Sequence, residues 1–508
     1  MQESRQRKLG AILSYVSIII STIVQLLYTP LLIRMLGQSE YGLYSLVASI
    51  IGYLTILDLG FGNAIVVYTA KYRAQGKKEK EKKLHGMFKM IFYVIGIITM
   101  ILGLILFFNV DNIFGNTMTS IELNKMKIMM LILTFNLVIT FSFNIYSSII
   151  SAYEKFVFQK VLAIINTMLK PIIMIPLLFL GYKSITMCVV ITIINLIIAI
   201  SNYIYCKNKL NINIKYLGFD KIVFKTLFGY SIWIFIGIIV DKINWSIDQF
   251  ILGAVSGTIS VSIYSVASQI NILFLNLSTA LSSVFLPKMS KLVAIKAKAE
   301  QFTNEFIKIG RLQYYIMFLF CSGFILFGKK FIAIWAGRGF EESYYVALFL
   351  IVPLVIPLIQ NIGLSIMQAM NKYKFKSIST IIMAVFNLII STILAKKYGA
   401  VGCAMGTAIS LIVCNIIVIN IYYHKTIKID IIKFWKNIFI MTLEFILPVL
   451  LIISIMRVVI INDSIISIIV YGLIYTLIFT LYSYFVVMND YEQDIVNKVL
   501  SKLKLRRG

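Results

Sequence analysis

The chain has 508 residues, of which 60% are apolar and only 14% charged, against about a quarter charged in a soluble domain. Its formal net charge is +27, and the basic residues sit between long apolar runs rather than on one patch. Composition therefore excludes a soluble enzyme, a nucleic-acid module or a secreted binder, and requires a polytopic membrane protein.

In chain order, about fourteen runs have the roughly 20-residue length of a spanning helix. They fall near 10–33, 41–66, 87–108, 128–150, 161–181, 185–206, 228–251, 257–286, 312–334, 345–368, 377–395, 400–423, 438–460 and 465–488. Continuous runs without period-two alternation predict helices, and only helices or closed barrels satisfy the backbone in lipid. Fourteen spans of ~22 residues leave about 200 residues for tails and connections, too few for an added soluble domain. With the N-terminus inside, 36 of the 48 Lys and Arg residues fall on the inner side and 10 on the outer. That asymmetry predicts two cytoplasmic termini and an even span number. The start, Met1-Gln-Glu-Ser-Arg-Gln-Arg-Lys, runs into a long first span with no small-residue cleavage site, which argues against a removable leader. Five dispersed cysteines offer neither a disulfide frame nor a zinc spacing.

The spans repeat. Tyr44-Ser45 corresponds to Tyr264-Ser265, and Gly103-Leu-Ile-Leu-Phe107 to Gly323-Phe-Ile-Leu-Phe327, both 220 residues apart. Ala152, Lys155 and Phe158 correspond to Ala369, Lys372 and Phe375 at 217, and Asn202, Tyr205 and Lys207 to Asn420, Tyr423 and Lys425 at 218. A six-span unit re-enters the membrane in the same direction. The expected fold is thus all-α, with two parallel six-helix lobes (1–210 and 211–425) and an extra helix pair with a basic cytoplasmic tail (426–508). Parallel repeats are a transporter arrangement, with a substrate path between lobes that rock to alternate access. The tail beyond 489 spaces Ile495, Val496, Leu500 and Leu503 among basic residues, as an amphipathic helix on the inner surface does. The basic run Lys71–Lys83 reads as a solvated face drawn to anionic headgroups.

Ionisable residues inside spans are costly and mark pathways or buried pairs. The seventh span concentrates them in Asp241-Lys-Ile-Asn-Trp-Ser-Ile-Asp248. There Asp241 and Asp248 share a face about 10 Å apart, flanked by Asn244 and Trp245. This stripe is a candidate cavity wall for a cation or sugar hydroxyls, with interhelical salt bridging as the plainer reading. Lys170, followed by Pro171, sits at mid-depth in the fifth span and suits either a substrate phosphate or an aspartate partner. Ser265, Gln269, Asn276 and Thr279 lie near one stripe of the eighth span, and Asp58 stands beside Gly60, Gly62 and Asn63 in the second. Gly323-Phe-Ile-Leu-Phe-Gly-Lys-Lys330 is the nearest approach to a phosphate loop, but it lacks the final Ser/Thr and sits in an apolar span. His85 and His424 lie at span edges and read as interfacial. Neither a cofactor nor a metal is expected, and with no ATP site in the sequence the driving energy would be an ion gradient, the membrane potential or downhill use of the product.

Three segments resemble a known family: Arg34-Met-Leu-Gly-Gln-Ser-Glu-Tyr-Gly-Leu-Tyr-Ser45, Leu57-Asp-Leu-Gly-Phe-Gly62 and Tyr68-Thr-Ala-Lys-Tyr-Arg-Ala-Gln-Gly76. They are similar to the N-terminal region of O-antigen and capsule repeat-unit flippases in the multidrug/oligosaccharidyl-lipid/polysaccharide exporter superfamily. Asp248-Gln-Phe-Ile-Leu-Gly253 with Tyr264-Ser265 resembles the opening of that family's second lobe. The resemblance implies a bacterial plasma-membrane flippase, not an enzyme. Its cargo would be an undecaprenyl-pyrophosphate-linked oligosaccharide moved from the inner to the outer leaflet, with coupling to protons or sodium. Partners would be membrane lipids and polysaccharide polymerase or export machinery, with no nucleic acid. Arg34, Lys170 and Lys242 are the candidate pyrophosphate cations. Asn244, Trp245 and Gln269 are candidate substrate contacts, and Asp241, Asp248 and Asp58 candidate ion-coupling carboxylates. Arg34 and Asp248 lie within the family-like segments, whereas Lys170, Lys242 and Asp241 rest on depth alone. Rival readings are a lipid II flippase sharing the fourteen-span plan and a drug/cation antiporter, which would stop at twelve spans.

Overall fold

A computed structural model describes residues 2–282, 286–295, 297–370, 372–458 and 465–504. The described residues are almost all helical, joined by short turns and, between α7 and α8, by a longer linker over 209–220. Its helices are α1 (Gln2–Leu36), α2 (Gln38–Leu54), α3 (Phe61–Ala74), α4 (Lys78–Phe114), α5 (Ser120–Ala152), α6 (Phe156–Phe179), α7 (Ser184–Asn208) and α8 (Lys221–Ser282). There follow α9 (Leu286–Ala294), α10 (Ala299–Trp335), α11 (Glu342–Ile359), α12 (Asn361–Ala369), α13 (Tyr373–Leu411), the short α14 (Ile419–Tyr422), α15 (Ile431–Val458), α16 (Ile465–Tyr482) and α17 (Asp490–Lys504).

Twelve helical stretches among the described residues are long and apolar enough to cross a bilayer. Two of them double back. In α8, Gly257 adopts φ 79° and ψ −177°, and residues on either side of it meet: Asp248 with Tyr264 and Gln249 with Ser265. In α13, Tyr398 and Gly399 leave helical geometry, and Ser391 then reaches the Cys403 carbonyl while Thr407 reaches Asn387. Each is a tight hairpin, so the twelve stretches hold more than twelve crossings, near the fourteen expected. Side chains turned outward, such as Ile97, Ile101 and Phe108 of α4 (60%, 52% and 72% exposed), are large and apolar, as a lipid-facing surface demands.

The chain separates into two compact units, Met1–Ser265 and Val266–Gly508. In the first, α5 packs against α4 and α7, and α1 against α6. The second span is interrupted: a tight turn at Thr55–Asp58 and left-handed Leu59 and Gly60 (φ 53° and 72°) separate α2 from α3. Contacts to Glu122, Asn144 and Ala152 follow in order along α5, so the break deflects the chain without reversing it. The sequence pattern predicts one continuous helix over 41–66. By contrast α6 stays helical through Pro171 and Pro176.

In the second unit, α11 packs against α10 and α13, and α15 and α16 pack against α10. Wide turns interrupt the helices at Ile412–Val418, Tyr423–Ile427 and Ser483–Val487. The terminal helix α17 is held by Glu492, 1% exposed, which takes a two-pronged ion pair from Arg311 (2.6 and 2.9 Å) and a hydrogen bond from Tyr315 (2.9 Å).

The repeat is written into local geometry. Phe158 stacks on Tyr205 at 3.9 Å and Phe375 on Tyr422 at 3.8 Å. The Ile149 and Ile150 carbonyls accept from Tyr153 and Lys155, and Ile366 and Met367 accept from Met370 and Lys372 in the same pattern. Ile212 donates to the Cys206 carbonyl as Ile429 does to Tyr423. Every one of these pairs is 217 residues apart. Tyr205 is therefore equivalent to Tyr422, not to Tyr423 as the sequence alignment has it, because the ring that meets the repeated phenylalanine sets the register. Tyr146 beside Cys206 becomes Gly363 beside Tyr423; the large and small partners exchange sides, which conserves packing volume.

Candidate functional site

Of the sequence-predicted residues of the seventh span, Lys242 and Asp248 lie on the first limb of α8 at its seam with α2. Asp248 is 2% exposed and accepts a hydrogen bond from Tyr264 on the return limb. A buried carboxylate is tolerated only when its oxygens are served in this way. Gln249 donates to Ser265 (3.1 Å), and Ser49 of α2 donates to the Ser246 carbonyl (3.1 Å). Lys242 brings its Nζ to the small Gly52 on α2, within 3.7 Å of where a β-carbon would lie. Next to Gly52, the Tyr53 hydroxyl is buried without a hydrogen-bond partner among the described residues, close enough to Asp248 to feel its charge. A hydroxyl donor, a primary ammonium and a carboxylate thus line one stretch of the α2–α8 seam. Such a set can hold an ion, a proton or the polar part of an amphiphile.

The side chains of Asp241, Asn244 and Trp245 lie outside the described residues. Lys170 is half-buried on α6, and among the described residues no acidic or hydrogen-bonding partner reaches it. Arg34 is exposed in the last turn of α1 and Gln269 is half-buried in the second unit. Asp58 accepts from Asn144 (2.7 Å) and faces the backbone N–H groups of Gly60 and Gly62. Its carboxylate therefore stands at the positive end of α3, where the helix dipole favours it. His85 is not interfacial: it is 2% exposed and bonded to Thr69 at 3.0 Å, because α3 folds back over it.

Sequence reasoning missed a second polar cluster, at the end of the bundle opposite the basic loops. Ser39 donates to Glu122 (2.6 Å), and Thr258, just past the Gly257 turn, donates to the same carboxylate (2.8 Å). Glu40 pairs with Lys125 (2.7 Å) and accepts from Ser184 (2.6 Å). Thr117 donates to the Gly253 carbonyl at 2.7 Å. Gly42 lies directly beneath the Thr258 carbonyl, so any β-carbon there would collide with backbone. The family-like segment Gln38–Tyr44 thus acts as a clasp joining the tip of the α8 hairpin to α2, α5 and α7. The only sequence signal was Thr119-x-x-Glu122, a capping box that the structure forms.

In the second unit, Asn387 accepts from Ser391 (2.7 Å) and Thr407 (3.2 Å), binding the limbs of the α13 hairpin. Lys376 donates to Asn415 at 2.8 Å. No cluster of three or more His, Cys, Asp or Glu side chains is present among the described residues.

Twelve helical stretches of spanning length among the described residues, a repeat of 217 residues and buried ionisable side chains within spans define a multi-pass membrane protein of transporter architecture. Residues 9–293 match the family described as polysaccharide biosynthesis protein, more than half of the chain, and the protein belongs to that family. A protein of Shigella flexneri described as an O-antigen transporter is 22% identical over 402 residues, 77% of this chain and 92% of its own length. The low-salt glycan biosynthesis flippase Agl15 of Haloferax volcanii is 25% identical over 195 residues, 38% of this chain and 41% of its own. Among solved structures, the lipid II flippase MurJ in an inward closed conformation aligns with TM-score 0.71, 19% identity and 96% of this chain against 99% of its own. An inward-facing multidrug-resistance MATE transporter aligns with TM-score 0.61, 14% identity and 78% of this chain against 96% of its own. The fold is that of these transporters.

Proposed function

We propose that the protein is a flippase carrying undecaprenyl-pyrophosphate-linked oligosaccharide repeat units from the inner to the outer leaflet of a bacterial plasma membrane, a transporter rather than an enzyme. The observation that carries this reading is the buried α2–α8 seam of Lys242, Tyr53, Asp248 and Tyr264 in a chain of the polysaccharide biosynthesis family. A saccharide on a pyrophosphate needs cationic and hydroxyl partners inside the bilayer, and no covalent step is required to move it. Lys242, Lys170 and Arg34 supply the positive charge, while Asn244, Trp245 and Gln269 meet the sugars. Asp248, Asp241 and Asp58 take up the coupling proton or sodium ion, or respond to the potential, which contributes about 2.3 kcal/mol per charge across 100 mV. The lobes 1–210 and 211–425 alternate access, and both termini are cytoplasmic. On this reading the clasp at Ser39, Glu122 and Thr258 closes the outer end and parts when cargo is released.

Complementation of a strain lacking its own O-antigen flippase tests the reading. The wild-type chain should restore surface glycan, and Asp248→Ala and Lys170→Ala should not, although both still insert. Export undiminished in both variants would refute the assigned residues. The extent of the likeness to MurJ favours lipid II as the second reading; rescue of a strain depleted of its lipid II flippase, without rescue of O-antigen, would select it. The final helix pair beyond residue 426 sets the chain apart from a twelve-span drug antiporter.

A further inference from the structure

On the basic-loop side of the first unit, a shallow groove with a cavity volume of about 50 Å³ opens between the start of α4 and the start of α8. Lys80 and Lys83, one turn apart on α4, stand on its rim, with Asp220 opposite and Leu84, Met87 and Val223 as its floor. Lys83 lies 3.6 Å from the Asp220 carboxylate. Asp220 is itself fixed in place: it caps α8, accepting from the backbone N–H groups of Ile222 and Val223 at 3.2 and 3.1 Å. The Val223 N–H, with Lys83 beside it, holds its carboxyl below the usual range, so it stays ionised. The remaining wall is Tyr72 of α3, and nearby the linker that ends at Asp220 is packed on α4, its Lys215 carbonyl lying on Gly86. The other lysines of the run face elsewhere; Lys82, for instance, pairs with Glu79 at 3.2 Å.

Depth and charge narrow what fits. The first lipid-facing apolar residue of α4 is Met90, 55% exposed, seven residues or about 10 Å along the helix from Lys83. The groove is therefore at headgroup level, next to the hydrocarbon. Two ammonium groups and one carboxylate leave a single net positive charge. That matches one phosphodiester monoanion and is too little for a pyrophosphate. Leu84 and Met87 are almost fully covered, so the half-buried Val223 and the exposed Met90 further along α4 are what suit the glycerol and first acyl carbons of a lipid, surface that a free inorganic anion would not use.

We propose that this groove is a binding site for the phosphodiester headgroup of an anionic phospholipid, distinct from the cargo seam. Bound there, the lipid bridges α4, the α7–α8 linker and the first turn of α8.

Native mass spectrometry of the full chain in detergent, titrated with phosphatidylglycerol or phosphatidylcholine, tests the site. Wild type should retain phosphatidylglycerol in preference to phosphatidylcholine. The pair Lys80→Gln with Lys83→Gln should weaken that retention by about thirtyfold, as loss of two lysines near a lipid phosphate would. Lys77→Gln with Lys78→Gln, the same charge loss outside the groove, should leave it unchanged, and Lys80→Arg with Lys83→Arg should keep most of it. Inorganic phosphate should not displace the lipid. Equal loss in both glutamine pairs would show diffuse surface attraction and overturn the proposal, as would displacement by inorganic phosphate. Loss in the arginine pair as severe as in the glutamine pair, with unchanged melting, would also overturn it.

Discussion

Thr258→Val tests the clasp with little change of shape. The substitution replaces a hydroxyl by a methyl and removes the 2.8 Å hydrogen bond to the Glu122 carboxylate. A hydrogen bond to a charged group contributes about 1.5–3 kcal/mol. Glu122 keeps Ser39 at 2.6 Å and its own capping partner Thr119, so the net loss should be nearer 1–2 kcal/mol, about a 5–30-fold shift toward the parted clasp. A reporter lies along the same limb: Ser246, some eleven residues or about 16 Å from the Gly257 turn. With Ser246→Cys in an otherwise cysteine-free chain, a membrane-impermeant maleimide applied to intact cells should label the Thr258→Val form faster by that factor. Unchanged labelling in a protein that melts normally would refute the view that this cluster gates the outer end.

Other outcomes follow from single contacts. Tyr53→Phe removes a buried hydroxyl that has no partner among the described residues, so thermal stability should hold or rise by up to about 1 kcal/mol; if the hydroxyl serves cargo or ion, transport in the complementation assay should nevertheless fall. Glu492→Ala strands Arg311 in a half-buried site, and should destabilise the chain by about 3 kcal/mol or more, seen as a lower melting temperature, with Glu492→Gln intermediate. Gly42→Ala drives a methyl into the Thr258 carbonyl. Its overpacking cost of about 1–3 kcal/mol should appear as reduced folded yield and as faster labelling in the same maleimide assay; normal yield would mean that the hairpin tip moves aside freely.

Much of the architecture was legible because lipid imposes a coarse rule: every span must be long, apolar and helical. Span positions, the six-span repeat and the terminal amphipathic helix follow from that rule, and α17 lies where the spacing of Ile495 and Val496 puts it. Finer register was not. Tyr422 and Tyr423 are adjacent and chemically identical, and only the stack on Phe375 shows which repeats Tyr205. The break after Asp58 escaped notice because it turns on Leu59, a residue with no preference for positive φ, beside an Asp58 that Asn144 binds from 86 positions away. The clasp was invisible for the same reason: Ser39 and Thr258 are 219 residues apart, and serine, threonine and glutamate near span ends carry no local pattern. Asp248 was found because burying a carboxylate in a span is costly wherever it happens, but its partner Tyr264 was noticed only as a repeat marker.

Translocation by the purified chain is the most direct test. Proteoliposomes loaded on one leaflet with undecaprenyl-pyrophosphate-linked oligosaccharide should show protein-dependent appearance of the glycan on the other leaflet. An Asp248→Ala protein of equal yield and melting temperature should fall to the protein-free rate. Wild-type protein that moves no more glycan than empty liposomes, or an Asp248→Ala protein that moves as much as wild type, would contradict the account.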